Sequence, residues 1–338
     1  MLSVRPIAVA ASTLVAALSF AYAESASADD LVSGRALGWP GLGAGKLASP
    51  PSEDVQQSVI SVAETKPVGS DATSSLGTYF ANWSARVDES KKSQPHWLPP
   101  LMTISPLITQ LVRVDGSYQW QGNGARTFNL GGTKGLFLVP AKTIEVDFDF
   151  PNYQERYNVQ PAAGPTDYQF LLVKQRLLSA NDQEGSYILT AALAAQAPIS
   201  SSPFTNNAFV ITPTLAGGKG FGDLNIQATT SLAIPTAHQD TLGISWLTNV
   251  AFQYRLGGLF WPEFEVNWTH WLNGTQRGGL NQVFLTVGAL LGPIPINQRV
   301  GVVIGGGLQF AVAPSVTLEP VLTPAYQTAL VFTARLSF

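Results

Sequence analysis

Charged side chains in this sequence recur at every second position. Arg113 and Asp115 form one pair, Glu145, Asp147 and Asp149 a ladder of three acids, Lys174 and Arg176 a basic pair, and Glu263 and Glu265 an acidic pair. Asp223, Arg255, Arg299 and Arg335 stand singly in segments of the same alternating kind. Acids and bases gathered on one surface can do proton-transfer chemistry, hold a metal, or line a path for a polar solute. The sequence supplies little for the first two. Its three histidines are scattered: His96 in an irregular stretch, His238 beside Asp240 in a loop, and His270 near the end of an apolar-faced segment. There is no cysteine. A hydrolytic site needs an imidazole beside a nucleophile or carboxylate in an accessible place, and none of the three sits in a histidine motif of that kind. Gly218-Lys219-Gly220-Phe221-Gly222 has the residue types of a phosphate loop but neither the Walker spacing nor the strand-to-helix setting, so it reads as a hairpin turn. The sequence therefore predicts no enzyme, no cofactor and no metal, and leaves the charged residues as lining for a shared interior.

A spacing of two places side chains on one face of a strand. The intervening positions are apolar: Val112, Val114, Tyr118 and Trp120 between the first charges, and Ile144, Val146, Phe148 and Phe150 around the acidic ladder. The same two-faced pattern runs through 224–234, 244–255, 263–269, 282–291 and 299–312. At the end of the chain Leu330, Phe332, Ala334, Leu336 and Phe338 share a parity, with Val331, Thr333, Arg335 and Ser337 opposite. A terminal aromatic on such a strand resembles the signal read by the bacterial barrel-assembly machinery, which gives Phe338 an assembly role. Charged residues make up 12% of the 338 residues, against roughly 25% in soluble domains, while the apolar share of 45% is ordinary. Charge has been replaced by uncharged polar residues and glycine. A soluble sandwich alternates in the same way, but many segments here approach the roughly 9–11 residues needed to cross a bilayer at a tilt. The fold class expected is all-β: a transmembrane antiparallel up-and-down barrel with an irregular N-terminal extension. A net charge of −3 gives no reason to expect nucleic acid.

Arg5, an apolar run over 7–20 and Ala21-Tyr22-Ala23 read as a secretory signal cut after Ala23. Residues 24–105 are rich in Ser, Ala, Gly and Pro and read as a periplasmic extension or a plug, with one short amphipathic helix over 77–87. The barrel is expected over 106–338. Eleven segments are clear or moderate, and a further strand over 126–136 brings the count to twelve, with ten and fourteen as the neighbouring counts, since single-chain barrels of this kind have even numbers. Residues 151–166 are expected as an outer loop. Tyr118, Trp120, Trp246, Tyr254, Phe260, Trp261, Trp268 and Trp271 cluster toward strand ends, as interfacial girdles do.

The motifs QPHWLPPLMTISPLITQ (94–110), GTKGLFLVP (132–140), FLLVKQRLLSAN (170–181), ITPTLAGGKGFGDLNIQ (211–227), FWPEFEVNWT (260–269) and NQVFLTVGAL (281–290) resemble a set of uncharacterised proteobacterial outer-membrane proteins. These are related to the barrels of the phenol meta-degradation pathway, usually called transporters. The resemblance covers roughly 94–338 and supplies no binding or catalytic residues. It implies a passive channel or uptake route for small, aromatic or hydrophobic molecules, with outer-membrane lipid, the assembly machinery and the solute as partners. The rival reading is a structural barrel with a filled lumen that presents its outer loops.

Overall fold

The computed structural model describes residues 69–338 apart from 133, 200 and 320; the expected secretory signal and the first part of the expected extension lie outside the described residues. Two compact units divide the described chain. Helix α1 (Gly69–Ala81) belongs to one of them and carries Tyr79 and Phe80, whose rings meet edge to face at 5.2 Å. Helix α2 (Trp83–Lys92) opens the other. The single helix expected over 77–87 is thus two, broken at Asn82.

After α2 the chain is irregular to Gln110 and then almost wholly β. The strands are β1 (Leu111–Trp120), β2 (Arg126–Leu130), β3 (Lys134–Ala141), β4 (Ile144–Asp149), β5 (Asn152–Tyr157), β6 (Ala162–Thr166), β7 (Tyr168–Ala180) and β8 (Tyr187–Ala197). Then come β9 (Val210–Phe221), β10 (Leu224–Pro235), β11 (Ser245–Tyr254), β12 (Phe260–Trp271), β13 (Asn281–Pro295), β14 (Gly301–Ala313) and β15 (Thr328–Ser337), with one short helix, α3 (Gln239–Leu242), between β10 and β11. Every neighbouring pair is antiparallel, and β15 returns to β1 from Leu111↔Ser337 to Trp120↔Thr328. That last pairing closes a barrel of twelve strands, formed by β1, β3, β4 and β7 to β15. Closure pairs the last barrel strand with the first, as a sheet in hydrocarbon requires because lipid offers no hydrogen bonds.

The other three strands are continuations of barrel strands past a line of breaks. β1 pairs with β3 as far as Val114↔Lys134 and resumes with β2 at Ser117↔Asn129. β4 pairs with β7 only from Ile144↔Gln175 to Asp147↔Leu172, and beyond the break β5 pairs with β6 from Asn152↔Thr166. Each break has a local cause. Gly132 takes φ +107° between β2 and β3, a region open to glycine. Pro151 lacks the N–H that the ladder needs between β4 and β5. Between β6 and β7 the Asp167 carboxylate accepts bonds from the N–H groups of Ile199 and Asn206 and the Thr205 hydroxyl, which holds that residue out of register. The strand expected over 126–136 is therefore two pieces, and the loop expected over 151–166 holds the β5–β6 hairpin.

The faces are the reverse of a soluble barrel's. Outward positions such as Phe150, Leu193, Val287 and Ile304 are exposed and apolar. Inward positions such as Glu145, Thr190, Asn225, Gln227, Gln253 and Thr286 are buried and polar. Short turns gather at one end of the barrel and longer connections at the other. Among the described residues no helix is long and apolar enough to cross a membrane, so the strands are the spanning elements. Two local readings change. Gly218-Lys219-Gly220-Phe221 lies inside β9, and the turn is only Gly222-Asp223. Trp261 is buried among Leu98, Leu101 and Leu290 inside the barrel, with its indole N–H donated to the carbonyl of Gly292, rather than sitting in an interfacial girdle.

Candidate functional site

The lumen is occupied by the chain's own leader, residues 93–110, which enters from the short-turn end. Its base is pinned by one side chain: Gln94 Nε2 donates to the carbonyl of Ile108, and the Ile108 N–H donates back to Gln94 Oε1 at 3.0 Å. Between them the chain rises into the barrel and returns. The segment has prolines at 95, 99, 100 and 106 and no regular structure, so its peptide groups cannot pair with one another. Buried peptide groups must find partners, and the barrel wall supplies them.

Glu263 and Glu265, two residues apart on β12, take the N–H groups. Leu101 donates to Glu263 Oε1 at 2.9 Å, Met102 to Glu265 Oε1 at 2.7 Å, and Thr103 to Glu265 Oε2 through both its N–H and its hydroxyl. Glu145 on β4 takes the N–H and hydroxyl of Thr109. The cations and amides take the carbonyls. Arg113 donates to Pro100 and Leu101, Arg335 to Pro99 and Pro100, and Gln227 to Leu98. Thr190 and Lys174 reach the carbonyls of Pro106 and Leu107. Bonds with one charged partner are roughly twice as strong as neutral ones. Apolar contacts add to them: Leu98 and Leu101 pack with Trp261 and Val303, Ile108 with Val87 and Val139, and Trp97 and Leu107 with Ile188.

Helix α2 lies across the short-turn mouth. Its Glu89 pairs with Lys142 in the β3–β4 turn, and its Asp88 pairs with Arg299 in the β13–β14 turn. Arg176 donates to the Ser90 carbonyl, the Ser93 hydroxyl, Gln94 and the Lys142 carbonyl, which ties the helix end to the wall.

A cavity of about 340 Å³ remains in the lumen. Residues 99–105 line it on the short-turn side and Pro324 and Tyr326 on the other, where the connection between β14 and β15 dips inward. Leu101, Phe137, Leu172 and Val331 give it apolar surface, and Arg113, Asp115, Asp147, Asp149, Gln169 and Lys174 give it polar surface. Gly116 and Phe332, which share the outward parity, also line it, beside the break between β2 and β3. The cavity thus reaches the wall where the ladder is interrupted.

The sequence-derived candidates divide in two. Arg113, Asp115, Glu145, Asp147, Asp149, Lys174, Arg176, Glu263, Glu265 and Arg335 are buried on the inner side. Asp223 and Arg255 instead pair with each other at 3.0 Å in the exposed turns at the ends of β10 and β11, and Arg299 is the exposed partner of Asp88. These three extend the alternation past the last paired residue, where parity no longer assigns a face. Phe338 follows β15, and its N–H donates to the Gln110 carbonyl. His96 contacts Asp182 at 3.1 Å, and Ser186 donates to the other oxygen of that carboxylate. In a hydrolytic triad the imidazole stands between hydroxyl and carboxylate; here the carboxylate stands between them. His238 lies at the start of α3, and His270 stacks on Trp268.

Sequence reading missed the seat of Trp97. Gly218 and Gly220 on β9 present bare backbone to its ring, and a Cβ on Gly218 would come within 2.6 Å of Cζ3. Gly218→Val should displace the ring at a cost of about 1–3 kcal/mol, as overpacking does. The emission difference between the variant and its Trp97→Phe partner reports whether the ring has moved toward water; an unchanged difference means the seat is elastic.

No family model matches the chain and no curated protein matches it. Solved structures do. A NanC porin is 10% identical, covering 67% of this chain and 98% of that one, with a TM-score of 0.43. An outer-membrane channel from Pseudomonas putida F1 is 11% identical, covering 72% and 100%, with a TM-score of 0.46. An anion-selective porin from Comamonas acidovorans is 8% identical, covering 68% and 97%, with a TM-score of 0.31. These are likenesses of barrel form.

Proposed function

We propose that this chain is a passive outer-membrane channel for small amphipathic molecules, aromatic compounds among them, and that its leader is the movable obstruction in the lumen. The observation that carries the reading is the cavity of about 340 Å³, walled at the sides by the barrel but closed above and below by two irregular segments, the leader and the β14–β15 connection. Both segments are held by side-chain contacts and can give way without breaking the closed ladder. The volume sits at the lower end of small-molecule sites. The exposed apolar outer face supports a membrane setting, and the export signal together with the barrel supports the outer membrane. Where the cavity meets the broken ladder between β4 and β7, a side branch toward lipid is favoured for the more apolar solutes. Among the described residues, a Gln169–Asp149 bond of 3.2 Å links the two strands beyond Asp147↔Leu172, where their ladder has ended.

Proteoliposome swelling tests the reading. Arabinose and phenylalanine should enter vesicles carrying the refolded full-length chain, and raffinose, too large for the cavity, should not. Absence of swelling with every solute, for protein shown by heat-modifiable mobility to be folded, removes the channel reading in favour of a filled structural barrel.

A further inference from the structure

We propose that the lumen cavity is a binding site for a small organic cation, a primary ammonium group carried on an apolar body. This deepens the channel reading and rests on it. The starting point is an accounting of the buried lumen carboxylates. Asp115 is paired with Arg113 at 2.8 Å and accepts the Thr333 hydroxyl. Glu145 is paired with Lys174 at 2.5 Å and accepts from Thr109. Glu263 and Glu265 are committed to the leader's N–H groups. Asp149 accepts one bond, from Gln169 at 3.2 Å. Asp147 is the exception: it is 1% exposed, and among the described residues neither of its carboxylate oxygens has a hydrogen-bond donor.

Asp147 lies between Glu145 and Asp149 on β4, and strand geometry sets successive members of that ladder about 6.6 Å apart on one face. The nearby cations are already engaged, Lys174 of the adjacent β7 on Glu145, and Arg113, two strands away on β1, on Asp115 and the carbonyls of Pro100 and Leu101. Both oxygens of Asp147 and one of Asp149 thus lack a donor among the described residues, buried in the wall of the cavity that both residues line. Burying such a group without a partner is costly, and each case in a native fold calls for an explanation. An ammonium group supplies the missing charge and three N–H donors. Phe137, Leu172, Leu101 and Val331, which line the same cavity, suit an attached hydrocarbon. A bare metal ion suits the place less well. Among the described residues no three acidic or histidine side chains are grouped to hold one, and the cavity is far larger than a single ion.

The test is calorimetric titration of the refolded full-length chain with butylammonium, butanol and butanoate, three probes of one shape and different charge. Butylammonium should bind at one site, butanol about tenfold more weakly or worse, and butanoate not at all. Asp147→Asn should weaken butylammonium by about tenfold or more, while Asp223→Asn, at the exposed turn, leaves it unchanged. Butanol binding as tightly as butylammonium, or unaltered affinity in Asp147→Asn, overturns the inference. So does calcium binding at one site that Asp147→Asn abolishes while butylammonium fails to bind, since the site is then one for an inorganic ion. If Asp147→Asn does not fold, the ranking of the three probes on the native sequence decides. Swelling keeps the two readings apart: arabinose entry without any charge ranking rejects the cation site and leaves the channel standing. Ranked binding without solute entry supports the site and rejects the channel.

Discussion

Removing residues 83–106 is expected to raise single-channel conductance severalfold over that of the full-length chain and to give the barrel a preference for cations. The leader lies across the lumen, and α2 spans the short-turn mouth between the β3–β4 and β13–β14 turns. Without them water reaches the side chains that now bind peptide groups. The exposed lining then holds the six acids Asp115, Glu145, Asp147, Asp149, Glu263 and Glu265 against the four bases Arg113, Lys174, Arg176 and Arg335. Charged linings set the selectivity of a pore, and the acidic excess favours potassium over chloride. Reversal potentials in a salt gradient give the sign, and planar-bilayer recordings of both proteins give the step size. A truncated protein that is heat-modifiable but conducts no better than the full chain moves the obstruction to the β14–β15 connection. That connection places Tyr326 in the lumen, with its hydroxyl donated to Gln309.

The barrel was legible because lipid on one side and a polar interior on the other impose a period of two on every strand. Glu145, Asp147 and Asp149 against Val146 and Phe148 carry that signal almost without noise. The closing pair of β15 with β1 follows the alternating end segment in the same way. What the alternation could not show is what the inward charges face. Glu263 and Glu265 bind the backbone of Leu101, Met102 and Thr103, more than 160 residues earlier in the chain. No local pattern connects them. A partial signal was present: 94–110 has four prolines, seven large apolar residues and no acid or lysine, an odd composition for a solvated linker. Taken with an excess of inward donors and acceptors, it could have pointed to a plug that needs them. The breaks at 131–132, 150–151 and 167 were hidden for another reason. A strand interrupted for two or three residues keeps its alternation on both sides, so glycine and proline there read as a loop between strands.

The lumen charges therefore serve first as a substitute for secondary structure. A proline-rich segment cannot form a helix or join a sheet, so each buried peptide group needs its own side-chain partner. The resulting set of bonds is specific yet separable from the barrel ladder, which makes opening of the leader possible at a cost well below that of unfolding the barrel. Stability is uneven across such a molecule, and the segment tied only by side chains opens first.

Glu265→Ala tests that arrangement most directly and should release the leader while the barrel stays folded. The carboxylate is wholly buried and accepts from the Met102 N–H, the Thr103 N–H and the Thr103 hydroxyl. Its loss strands three donors and removes one of the negative charges near Arg335. Breaking a buried, charged hydrogen-bond set of this size costs about 3–5 kcal/mol. The strand ladder contributes nothing to the leader, so the cost falls on leader closure rather than on the barrel. At 1.4 kcal/mol per factor of ten, proteinase K cleavage between 93 and 106 should become about a hundredfold to several thousandfold faster. Heat-modifiable mobility should persist, and conductance should move toward that of the truncated protein. Glu265→Gln retains one acceptor oxygen and should fall between the two. If Glu265→Ala keeps the native protection of the leader, the apolar seats of Trp97, Leu98 and Ile108 hold it instead. The charged face of β12 would then have to be explained by the solute rather than by the chain.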